Sequence, residues 1–130
     1  MTVPVDPPAF LPDPERVVAA FTDRTRMLIL NTPHNPTGAV YPRALLEELV
    51  RACRERGVLI LSDEVYEHVV FDGARHRPLM ALPGMRERTV KIGSAGKIFS
   101  LTGWKVGFVM ADARLMRGLA KAHQFLTFTT

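Results

Sequence analysis

The sequence predicts an α/β fold, a mostly parallel sheet with flanking helices, and three observations carry that prediction. The apolar runs Met27 to Leu30 and Val58 to Leu61 show no polar alternation, as strands covered on both faces do. Between them, residues 43–56 place Leu45, Leu46, Leu49, Val50, Ala52 and Cys53 at helical spacing, so strand, helix and strand make a βαβ unit. The 130 residues, 47% hydrophobic and 23% charged, suffice for one packed core and fall short of two ordinary domains.

Each element has its own signal. Prolines at positions 4, 7, 8, 12 and 14 keep residues 1–12 an extended lead-in. Asp13, Pro14 and Glu15 then supply a cap, a first helical residue and a first-turn acid, opening a short helix to about Ala20. The strand at Met27 runs into the turn-rich NTPHNPTG, and Gly57 gives the long helix a left-handed stop. A third strand is expected at Thr89 to Ser94 and a fourth at Val106 to Met110. The 11-residue connection between these two is short for a parallel crossover, so the pair is expected to be antiparallel. Asp112 caps a last helix to about Gln124, and Phe99 and Trp104 are expected in the core.

Composition narrows the functional classes. The net charge of +4 comes from scattered bases with no run or aromatic interleaving, which disfavours nucleic acid and suits a small anion. One cysteine, Cys53, makes no internal disulfide, and His34, His68, His76 and His123 form no pair at metal-ligand spacing, so no metal is expected. His34 and His68 are read as loop and rim residues. With no signal-like start and no apolar stretch near the ~20 residues of a membrane span, a soluble cytoplasmic protein is expected.

In an open α/β sheet, ligands collect beyond the carboxyl ends of the strands. Four polar segments fall there: Asn31 to Gly38, Ser62 to Tyr66, Ser94 to Lys97 and Thr102 to Lys105. An antiparallel last pair would bring Ser94 and Lys105 to one edge, where a hydroxyl and an ammonium suit a phosphate. Neither a P-loop nor a dinucleotide glycine fingerprint is present: KIGSAGKIFS has Lys91 and Ile98 where a P-loop needs Gly and Ser or Thr.

The motifs NTPHNPTG (31–38), SDEVYEHVVFDG (62–73) and GSAGKIFSLTGWKVG (93–107) resemble, in this order, the class I/II pyridoxal-phosphate aminotransferases of fold type I. Intervals of 28 residues from Asn35 to Asp63, three to Tyr66 and eight from Lys97 to Lys105 match that family as well. With LPGMRERT (82–89), the set resembles the branch of kynurenine, glutamine–phenylpyruvate and methionine transaminases, some of which are also cysteine-conjugate β-lyases. The resemblance implies pyridoxal 5'-phosphate as cofactor and Lys97 as the catalytic residue, forming the Schiff base and then moving the proton, with burial beside other cations lowering its pKa. It implies that Asp63 pairs with the pyridine nitrogen, that Tyr66 and Asn35 donate to the ring phenolate oxygen, and that Ser94 and Lys105 hold the phosphate.

Two positions depart from the broad family and recur in that branch. Lys105 stands where most members carry Arg, replacing a bidentate fork by a point charge. Gly96 stands where many have a hydroxyl before the Schiff-base lysine. The resemblance casts residues 13–130 as an incomplete, partial large domain of the fold type I transferase, an internal fragment without the small domain and its carboxylate-binding arginine. It leaves the ending LTFTT without its usual continuation and implies a homodimer with its site at the subunit boundary. Three outcomes stay open at this level: transfer of an amino group from an α-amino acid to a 2-oxo acid, β-elimination at the same lysine, and a non-catalytic remnant.

Overall fold

The computed structural model describes residues 1–127. Four strands form one sheet in sequence order: β1 (Met27–Asn31), β2 (Leu59–Asp63), β3 (Thr89–Ser94) and β4 (Gly107–Met110). β1 with β2 and β2 with β3 are parallel, and β3 with β4 is antiparallel, as the short connection between them predicts. The helices are α1 (Pro14–Ala19), α2 (Arg43–Glu55), α3 (Ala95–Ile98) and α4 (Ala113–Leu126).

Local chemistry sets the boundaries. Asp13 Oδ1 accepts from the N–H groups of Glu15 and Arg16 at 2.8 and 3.4 Å and so starts α1. Gly57, at φ +67°, ends α2 in the left-handed region. The Val58 N–H closes that helix end by donating to Cys53 O at 2.8 Å, so it is spent before the sheet begins. Pairing with β1 starts at Leu59, and β2 runs two residues beyond the apolar run, to Asp63.

Val17 of α1, Leu46, Leu49, Val50 and Cys53 of α2, and Leu30 and Ile60 of the sheet form the core. Leu79, Leu82 and Met85, from the connection between β2 and β3, join the same cluster. That connection holds no long helix, only the 3-10 turn Leu79–Ala81. Both connections therefore pack on one side, and among the described residues neither supplies a helix to the other. Leu59 and Leu61 are half-buried where burial on both faces was expected, and Ile29 is 67% exposed.

Phe99 and Trp104 are likewise 67% and 75% exposed, correcting their assignment to the core: no residue of the segment carrying them joins the core cluster. α4 is capped by Asp112, whose Oδ1 accepts from Arg114 N at 2.9 Å, and it buries none of its residues. Among the described residues no helix is long and apolar enough to cross a membrane. The last three residues of LTFTT, 128–130, lie outside the described residues.

Candidate functional site

β1, β2 and β3 end together, and their register decides which side chains meet. Asn31 pairs with Asp63 and Asp63 with Ile92, while Ser94 lies two residues beyond Ile92. Side chains alternate along a strand, so Asn31, Asp63 and Ser94 share the face that no helix covers. Asn31 Nδ2 donates to Asp63 O at 3.2 Å, and Asn31 Oδ1 accepts from Asn35 N at 2.7 Å. The NTPHNPTG turn is thus tied to the end of β2, although the Asn35 side chain is exposed. Asp63 Oδ1 accepts from Val65 N at 3.3 Å, capping the turn that carries Tyr66.

The chain leaves β3 through Ser94, whose hydroxyl accepts from Lys97 N at 3.3 Å and starts α3. One turn later the Lys97 ammonium lies 5.5 Å from the centroid of the Tyr66 ring, within cation–π reach. Ser94, Gly96, Lys97, Thr102, Lys105, Val106 and Gly107 line an open cavity of about 300 Å³. Lys105 sits at φ +55°, a left-handed conformation that strains a side chain with a Cβ by roughly 1–2 kcal/mol and turns the backbone from 102–104 into β4. A Cβ on Gly96 would stand 3.3 Å from Thr102 Cα, so the missing hydroxyl before Lys97 goes with a close approach of the two backbones.

Behind the end of β2 lies a buried charge cluster. Glu64 is fully buried and accepts at Oε1 from Ser62 Oγ (2.8 Å) and Leu79 N (3.2 Å), and its Oε2 lies 2.7 Å from His76 Nε2. The Lys91 ammonium sits 3.5 Å from Glu64 Oε2 and 2.5 Å from Glu67 Oε2. Burial alone would raise the Glu64 carboxyl, but the hydrogen bonds from His76, Ser62 and Leu79 outweigh it and hold the group below its usual range. Glu64, Glu67 and His76 bring ligand atoms within 4.8 Å of one another, a grouping the histidine spacings do not reveal.

Of the expected site residues, Ser94, Lys97 and Lys105 meet at one cavity, Tyr66 meets Lys97, and Asn35 connects to Asp63 through Asn31. The burial expected for Lys97 is not seen: the residue is exposed on the short helix α3. His34 is a loop residue as expected, its Nδ1 2.7 Å from Thr37 Oγ1, and His68 is exposed. Sequence reading missed Asn31 and the cluster of Glu64, Glu67, His76 and Lys91. One signal for the cluster was available: a lysine inside TVKIGS, an otherwise apolar strand, demands buried carboxylates.

The donor set fits pyridoxal phosphate. A serine hydroxyl and two ammonium groups around one cavity suit a phosphate and an aldehyde, and a carboxylate on the same sheet face suits a pyridinium. Comparison with known proteins places the chain among aminotransferases. Kynurenine–oxoglutarate transaminase of Dictyostelium discoideum is 47% identical, the match covering 88% of this chain and 27% of the relative. The structure of N-succinyldiaminopimelate aminotransferase from Mycobacterium tuberculosis superposes with a TM-score of 0.96 at 44% identity, covering all of this chain and 34% of that one. A methionine aminotransferase of Escherichia coli superposes at 0.92 with 41% identity, over 97% of this chain and 33% of its own. The chain thus spans about a quarter to a third of the relatives it matches. The model of the family described as aminotransferase class I and II matches residues 1–130, and the chain belongs to that family.

Proposed function

We propose that this chain forms the lysine-bearing, phosphate-holding part of a pyridoxal-phosphate aminotransferase, moving an amino group from an α-amino acid to a 2-oxo acid. The observation that carries the reading is the position of Lys97, whose ammonium lies over Tyr66 while its residue lines the cavity of Ser94 and Lys105. Pyridoxal phosphate, when bound, supplies an aldehyde for an amine and a ring that accepts the electrons of a carbanion. Lys97 would be the amine available to that aldehyde and a base able to hold or move a proton at its Nζ. Asp63 keeps a proton on the pyridine nitrogen, and Tyr66 and Asn35 donate toward the ring oxygen. Ser94 and Lys105 hold the phosphate, Lys105 as a point charge.

The relatives named for kynurenine and methionine support an aromatic or sulfur-containing donor, with glutamine-type donors next. A homodimer with the site at the subunit boundary is supported by the exposed Phe71, Phe99 and Trp104. Borohydride reduction of the chain with pyridoxal phosphate, followed by peptide mapping, tests the assignment. Label confined to Lys97 and abolished in Lys97→Ala is the expected result. Label spread over many lysines overturns it.

A further inference from the structure

The connection from β2 to β3 carries Tyr66 but has no long helix to hold it. Its first residues form a tight turn, with Glu67 N donating to Glu64 O at 3.0 Å and Val69 N to Tyr66 O at 2.8 Å. Two adjacent side chains of this turn reach two lysines, one on β3 and one on α3. Glu67 grips Lys91, which lies on the core side of β3 opposite Ser62, and Tyr66 meets Lys97, three residues past the end of β3. The turn contacts both.

Lys91 is 7% exposed, and its ammonium is the cation of the Glu64, Glu67 and His76 cluster, so those carboxylates are occupied by a resident charge and need no metal ion. Within the cluster the two carboxylates divide the work. Glu64 accepts from Ser62, Leu79 and His76 and is anchored without Lys91. Glu67 has Lys91 as its only side-chain partner among the described residues.

We propose that the Glu67–Lys91 pair is a positioning strut, which holds the 64–69 turn so that the Tyr66 ring stays at the Lys97 ammonium. The inference rests on the reading that Lys97 and Tyr66 face the cofactor, and it makes Glu67 and Lys91 positioning residues that touch no reacting atom. Lys91 keeps Glu64 when Glu67 is truncated, so the truncation removes the strut without stranding a buried charge.

The test has one arm without cofactor and one with it. In the cofactor-free chain, NMR cross-peaks between the Tyr66 ring protons and the Lys97 ε-methylene report the contact. They are expected in the unaltered chain and in Glu67→Gln, which keeps an oxygen for Lys91, and are expected to vanish in Glu67→Ala with the strand amides unshifted. Undiminished cross-peaks in Glu67→Ala overturn the proposal. If Glu67→Ala does not fold, Lys91→Met removes the strut from its other end and decides in the same way; failure of both to fold makes the pair a folding determinant and also overturns it.

With pyridoxal phosphate added, the visible absorbance is titrated against pH. A hydrogen bond donated to the ring oxygen would stabilise its anionic form and so lower the proton affinity of the nitrogen that Lys97 contributes beside it; Tyr66→Phe is therefore expected to raise the midpoint. Glu67→Ala is expected to raise it by at least half as much, and to add nothing in the Tyr66→Phe background. An additive shift in the double variant overturns the strut. If the unaltered chain takes up no cofactor at Lys97, the functional reading falls, and the cross-peaks alone decide the strut.

Discussion

The two sides of the sheet are built from alternate residues of the same strands and serve different ends. On one side Leu30, Ile60 and Ser62 meet α2, the 79–85 segment and the Glu64 cluster. On the other, Ile29, Asp63, Ser94 and Val109 alternate with them and face no helix. The first side holds the fold together and the second carries the chemistry of the proposed function, so under that proposal a one-residue step along a strand moves a substitution from stability to function.

The sharpest way to break that division is at Glu64. Glu64→Ala strands Ser62, His76 and the Leu79 amide in a buried site, and roughly 3–5 kcal/mol of stability should be lost, measured by urea unfolding. Acid should act on the same group reversibly. Its folded carboxyl is held below the unfolded value, so its contribution is complete above the ordinary glutamate range and disappears as pH falls through the depressed value. Unfolding midpoints from neutral pH down to about pH 3 should fall steeply in the unaltered chain and more shallowly in Glu64→Gln.

A gentler comparison applies one substitution to both sides. Ile60→Val, at a fully buried position, should cost about 0.5–1.5 kcal/mol. Ile29→Val, on the neighbouring strand at 67% exposure, should stay within about 0.5 kcal/mol. Equal costs would mean that the open side is covered in solution. The smallest effect is expected at Lys97, where the exposed side chain makes Lys97→Ala neutral to about 0.5 kcal/mol in unfolding, even though the proposed function has it lose cofactor attachment.

The sheet's order of events was legible because each signal was local. The apolar runs marked three strands, Gly57 marked the end of α2, and a short connection marked β3 and β4 as antiparallel. Of the candidate site, the sequence placed Asp63 and Ser94 at strand ends and Lys97 just beyond one, and the structure has them there. Coverage was not legible, because apolar runs announce a need for burial without saying what supplies it. Trp104 and Phe99 look like core residues by type and stand exposed. The Glu64 cluster escaped for another reason: its members are spread from Ser62 to Lys91, and only folding back of the long connection brings His76 and Leu79 onto the carboxylate.

The placement of Trp104 has a practical side. It is the sole indole in the chain and stands 75% exposed between Thr102 and Lys105, two residues that line the cavity of about 300 Å³. At that exposure its emission is expected to be that of a water-exposed indole already, so denaturant should change the emission colour little. An anion or aromatic guest arriving beside it should quench it. The chain therefore carries a built-in gauge of occupancy that is nearly blind to unfolding.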